Sequence, residues 1–115
     1  MKQIKYSPEA RRDLQNIKKY IEEEWDGNIA QKVMVLLMGR IRSLEKHPKL
    51  GVDISDMFDV ISDYKYLVVK KNYVFYRLEG KYVRVIRVLS DKQDFMQVLF
   101  GVHTQSEDTE NYWNE

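Results

Sequence analysis

The chain has 115 residues and a mass of 13.8 kDa, which is the size of one domain. With 43% apolar and 32% charged residues it reads as a soluble globular protein, not a disordered one. The absence of cysteine excludes disulfides, thiolate metal sites and thiol catalysis, and two histidines are too few for a histidine metal centre. Neither a metal nor a small-molecule cofactor is therefore expected.

The opening Lys2 to Tyr6 alternates polar and apolar residues, as a short strand does. Ser7-Pro8-Glu9 is a helix start: a capping hydroxyl, a proline whose missing N–H costs nothing there, and a carboxylate at the positive end. Ala10, Leu14, Ile17, Ile21 and Trp25 follow at three- and four-residue spacing, so one stripe, Trp25 included, is expected to face a core. Asp26-Gly27-Asn28 stops this helix, with Asn28 as the expected cap of the next. Ile29, Val33, Leu36, Leu37, Ile41 and Leu44 extend a second apolar stripe to about Lys46, and His47-Pro48 and Gly51 end it. So short a connection predicts an antiparallel helical hairpin.

Residues 52–63 are acidic and irregular. Three β-rich runs follow, Tyr64–Val69, Tyr73–Leu78 and Tyr82–Leu89, with Lys71-Asn72 and Glu79-Gly80-Lys81 as the expected turns of an antiparallel meander. Phe95 to Phe100 is either a short helix or an edge strand. The order β-α-α-β-β-β predicts an α+β domain over residues 1–103, a helical hairpin on a twisted antiparallel sheet. Residues 104–115 read as an acidic, flexible tail. The longest apolar run, Val33 to Met38, is far too short to cross a bilayer, and no signal peptide is legible, so a cytoplasmic location and no membrane partner are expected.

Nineteen basic residues against eighteen acidic ones give a net charge of only +1, but the sum is a cancellation. By segment the charge is +4 over residues 1–49, −4 over 50–64, +6 over 65–92 and −5 over 93–115. Because salt confines surface electrostatics to about 10 Å, a basic segment can meet a polyanion whatever the total. The basic segment holds Lys65, Lys70, Lys71, Arg77, Arg84, Arg87 and Lys92, the candidate residues for target or nucleic-acid binding. Each also has a plainer reading. Lysines protect sheet edges from aggregation, and Arg87, lying between aliphatic residues, could pair with Asp63 or Asp94. Strict alternation would put Arg87 on one face with Val83, Val85 and Leu89, and Arg84 on the other with Ile86 and Val88. Tyrosines interleave with the cations and could stack on bases, but they also simply favour strands.

Several patterns in order resemble the RelE/ParE superfamily of bacterial toxins. They are Tyr6-Ser7-Pro8-Glu9-Ala10-Arg11-Arg12-Asp13-Leu14, Leu44-Glu45-Lys46-His47-Pro48-Lys49-Leu50-Gly51, the meander from Tyr64 to Leu89, and Gln93-Asp94-Phe95-Met96 with Val98-Leu99-Phe100. The resemblance implies a type II toxin–antitoxin module with a cognate antitoxin as partner, whose acidic amphipathic segment would dock on a helical groove or a sheet edge. Two activities live on this fold. ParE-like members inhibit DNA gyrase, whereas RelE-like members cut mRNA on the ribosome. A third possibility is a toxin fold that has lost activity and only binds its antitoxin. The nuclease reading would need a base, a phosphate-stabilising cation and an acid, with Lys65, Arg87 and Lys92 as the catalytic candidates. Against it, Ser90, Gln93 and Leu99 or Phe100 stand where such enzymes place titrating or cationic groups. His103 lies beyond the resembling region. The resemblance therefore favours the gyrase-directed class. The −5 of the C-terminal stretch against the +6 of the meander further suggests that the tail folds back over the basic strands.

Overall fold

The computed structural model describes residues 1–101. The expected tail over 104–115 and His103 lie outside the described residues.

Strand β1 (Gln3–Tyr6) leads into helix α1 (Pro8–Glu24). Ser7 caps α1 as expected, its Oγ accepting from the Ala10 amide at 2.9 Å. Helix α2 (Gly27–Arg42) then packs against α1 and tightens into a 3-10 turn over Ser43–Glu45. Its cap is Asp26, one helical turn ahead of Ile29, whose amide it receives at 2.8 Å; Asn28 is already inside the helix. Asp26 takes the position because it is the last extended residue before the turn closes, which is where a side-chain oxygen reaches the free amides.

The sheet has the order β1-β5-β4-β3-β2, built from β2 (Val52–Asp53), β3 (Lys65–Val69), β4 (Asn72–Glu79) and β5 (Tyr82–Ser90). Strands β2 to β5 are antiparallel to their neighbours, as the meander predicts. β1 joins the other edge in parallel with β5, pairing Gln3 with Tyr82 and Tyr6 with Val85. The β3–β4 turn is Lys70-Lys71, one residue earlier than expected. Both residues adopt positive φ, the geometry that matches a two-residue hairpin to strand twist. Asn72 instead begins β4, its side chain donating to the Lys70 carbonyl. A short helix, α3 (Ile54–Met57), interrupts the acidic stretch, and the Phe95–Phe100 segment is a helix, α4.

The hairpin covers one sheet face. Ala10, Leu37, Ile41 and Leu44 pack on Leu67, Val74, Tyr76, Val83, Val85 and Val88. At about 2 kcal/mol for each large aliphatic side chain removed from water, this layer is the main stabilising unit. Trp25, expected in the core, is 70% exposed: α1 ends at Glu24, and Trp25 leaves the helical path at φ −126°, ψ −95°.

A β-bulge lies inside β5. Phe75 faces Arg87 and Tyr76 faces Val85, so Ile86 is an extra residue. The bulge reverses which face each later residue presents. Val88, not Leu89, joins Val83 and Val85 in the helix-side core, while Leu89 and Phe75 lie on the second face. Simple alternation therefore fails after Val85, and Arg87 does not share a face with Val83 and Val85.

Where α1 crosses the end of β1, it closes the exposed edge of β5. The Ser7 amide donates to the Val85 carbonyl, and Ser7 Oγ donates to that of Ile86 at 2.6 Å. A second anchor is Tyr76, whose hydroxyl donates to the Pro48 carbonyl at 3.0 Å and accepts the Gly51 amide at 2.8 Å. It pins the segment leaving α2 against the sheet. Gly51 is required there by close approach, since a Cβ would lie 2.5 Å from the Tyr76 hydroxyl.

Candidate functional site

The second face of the sheet is divided. One half is dry: Ile54, Phe58, Val60, Tyr64, Tyr66, Tyr73, Phe75, Leu89, Phe95, Leu99 and Phe100 form an aromatic cluster. Phe95 is at its centre, with ring centroids 5.2 Å from Phe58, Tyr73 and Phe75. Residues 54–64 and α4 thus form a cover, which explains the apolar residues embedded in otherwise acidic sequence.

The other half is polar and partly solvated. Lys5 pairs in register with Arg84, which pairs in register with Arg77, and Tyr82 lies opposite Gln3 and Glu79. Lys5 Nζ sits 3.8 Å above the Tyr82 ring. Glu79 receives Arg84 Nε at 2.8 Å and lies 3.5 Å from Arg77 Nε, while Arg77 Nη2 reaches Asp63 at 2.7 Å. The hydrogen bond from Arg84 holds the Glu79 carboxyl below the usual carboxylate range. Arg77 Nε itself is buried and has no hydrogen-bond acceptor among the described residues.

The sequence-derived candidates do not gather at one point. Lys65 lies in register with core Tyr76 on the helix side, is 16% exposed, and pairs with Asp53 at 2.6 Å. Arg87 lies in register with Phe75 on the second face. Its partner is neither Asp63 nor Asp94 but Asp13 of α1. Arg87 Nε and Nη2 bind the two carboxylate oxygens at 2.7 and 3.0 Å, and the Val88 amide donates to the same group at 2.9 Å. Those hydrogen bonds raise the Arg87 pKa against the opposing effect of burial. Lys70, Lys71 and Lys92 are exposed in neighbouring turns at one end of the sheet, linked by the Asp91 amide donating to the Lys71 carbonyl. Arg77 and Arg84 are neighbours toward the other end.

Asp13 went unrecognised from sequence, although a signal was present. It lies three residues after Ala10 and four before Ile17, on the buried stripe of α1, where an unpaired carboxylate would be costly. On the hairpin's outer side, Asn28, Gln31, Lys32, Val35 and Leu36 line a shallow groove of about 680 Å³, with Val35 and Leu36 exposed. At the start of β1, Lys2, Glu45, Lys46, Gly80 and Lys81 border another, of about 480 Å³. Among the described residues no group of three or more His, Cys, Asp or Glu side chains is placed to hold a metal ion, and no helix is long and apolar enough to cross a membrane.

A helical hairpin on one face of a five-stranded sheet, with a short C-terminal helix on the other, defines a RelE/ParE-type toxin fold. Residues 4–95 match the family described as the ParE toxin of the type II toxin–antitoxin system parDE, so the chain belongs to that family. Among solved structures it is similar to a chain of the chromosomal ParDE toxin–antitoxin system from P. aeruginosa, with a TM-score of 0.67 at 16% identity, covering 78% of this chain and 96% of that one. YafQ from E. coli strain BL21(DE3) is a weaker match, with a TM-score of 0.41 at 19% identity, covering 88% of this chain and 100% of that one. No curated protein matches. The protein is the toxin component of a type II system, and the family implies a cognate antitoxin as its partner.

Proposed function

We propose that this toxin arrests growth by binding DNA gyrase and has no nuclease chemistry of its own. The observation that carries the reading is the separation of Lys65, Arg87 and Lys92. A general base, a phosphate-stabilising cation and a general acid must reach one scissile phosphodiester. Here Lys65 is on the helix side against Asp53, Arg87 is on the opposite face held by Asp13, and Lys92 is in a turn. Two of the three cations are already neutralised by carboxylates, which weakens them as phosphate ligands. The exposed cations Lys70, Lys71 and Lys92, with the half-exposed Arg77 and Arg84, remain available for contact with a macromolecular target.

The antitoxin's amphipathic segment would dock on the hairpin groove, where Val35 and Leu36 supply apolar contact and Lys32 a charge for acidic residues. Purified toxin tests the target assignment in two parallel assays, gyrase supercoiling and mRNA cleavage on programmed ribosomes. Inhibition of supercoiling without cleavage is expected. Ribosome-dependent cleavage would overturn the reading, and antitoxin binding with neither effect would identify an inactive toxin fold.

A further inference from the structure

The direction of α4 determines where the chain goes next. Its first residue, Phe95, packs against Tyr73 and Phe75, toward the Lys70-Lys71 end of the sheet. Its last, Phe100, packs 5.8 Å from Tyr64, the residue before β3 and next to the Asp63 that holds Arg77. The helix therefore runs along the dry half of the second face and ends beside the polar half. Gly101 closes it in the left-handed conformation at φ 69°, ψ 21°.

That polar half carries Lys5, Arg77 and Arg84, with Lys81 at its rim 5.8 Å from the Tyr82 ring, against Glu79 and Asp63. The cations outnumber the carboxylates by two, and the buried Arg77 Nε still lacks an acceptor. Beyond Gly101 the sequence has Glu107, Asp108, Glu110 and Glu115, no Lys or Arg, and the aromatic pair Tyr112-Trp113. Residues 102–115 can span up to about 45 Å if extended. Crossing from β4 to β1 needs only about 10 Å at the usual strand spacing.

We propose that residues 104–115 bind across the polar half of the second face of their own chain. Their carboxylates meet Lys5, Arg77 and Arg84, and the Tyr112-Trp113 pair lies against Tyr82, masking this cationic surface from other polyanions. The inference concerns the chain's own tail and is independent of which target the toxin attacks.

Trp25→Phe, at an exposed position, leaves Trp113 as the single tryptophan of the full-length protein. Acrylamide quenching of that protein is then compared at about 50 mM and about 1 M NaCl, where the screening length falls to about 3 Å. Quenching is expected to be roughly twofold weaker at low salt. Adding Arg77→Ala and Arg84→Ala should raise the low-salt value to the high-salt one, because surface ion contacts vanish with their charge. Equal quenching at both salts overturns the proposal. So does protection that grows with protein concentration, which would place the tail on a second copy. Amide NMR gives an independent reading: removing 104–115 should shift Lys5, Arg77, Tyr82 and Arg84. Shifts confined to α1–α2 or to the Lys70-Lys71 turn, or no shifts, also overturn it.

Discussion

Replacing Asp13 tests whether α1 is held to the sheet by one carboxylate. Asp13 is 10% exposed in its side chain and Arg87 26%, so the pair is largely withdrawn from water. Asp13→Ala removes both bonds from Arg87 and strands the Val88 amide on a strand edge that β1 does not reach. Breaking a buried ion pair from one side costs about 3–5 kcal/mol, and an orphaned buried amide about 1–3 kcal/mol. Because Arg87 can turn its quarter-exposed guanidinium to water, the lower end applies, and a loss of about 3 kcal/mol is expected. With urea m-values of about 1–3 kcal/mol/M, the unfolding midpoint read by circular dichroism should fall by at least about 1 M. Arg87→Met should cost less, since Asp13 keeps the Val88 amide. The double variant Asp13→Leu/Arg87→Met should recover only part of the loss, because that amide still lacks an acceptor. A loss below about 0.5 kcal/mol for Asp13→Ala, typical of surface substitutions, would refute the reasoning.

Gly51→Ala should destabilise by about 1–3 kcal/mol, the usual cost of overpacking, because its Cβ meets the Tyr76 hydroxyl and the Tyr66 carbonyl; thermal unfolding measures it. Burial raises the Tyr76 pKa above 10.0, so its contribution is intact below pH 10 and is lost as pH rises through the folded value. Tyr76→Phe should accordingly flatten the alkaline limb of the stability profile. Glu79 has the opposite sign: its pKa is lowered from 4.5, so its contribution is present above that pH and fades as pH falls through the folded value. Glu79→Gln should shallow the acid limb measured by urea titration. Val35→Glu with Leu36→Glu should weaken antitoxin binding at least about tenfold by calorimetry, since burying either carboxylate in an apolar contact costs more than 1.4 kcal/mol.

What was legible in the sequence is what local chemistry dictates. Ser7-Pro8 begins a helix wherever it is placed, and alternation from Tyr64 to Leu89 yields strands regardless of their partners. The misreadings all involve geometry set by residues distant in sequence. The Ile86 bulge follows from how β5 fits β4, and it moved Arg87 away from its expected neighbours. Arg87 then found Asp13, 74 positions earlier, instead of a nearby acid. Trp25 continued a periodic stripe past the residue at which the helix had stopped. The candidate site fared less well than the fold. The composition of the basic segment was visible, but the division of its cations between two faces and two ends depends on register.

The parallel pairing of β1 with β5 also sets the order in which the chain can be completed. β1 leaves the ribosome first, and its partner is among the last strands made; the Ser7–Ile86 contact spans 79 positions. At about 5–20 residues per second, synthesis keeps that edge waiting for roughly 4–16 s, while the hairpin emerges with no sheet to cover. A nascent toxin cannot close its sheet early. The fold thus builds in an interval during which the chain is incomplete, with the apolar side of α1 and α2 exposed to whatever recognises it first.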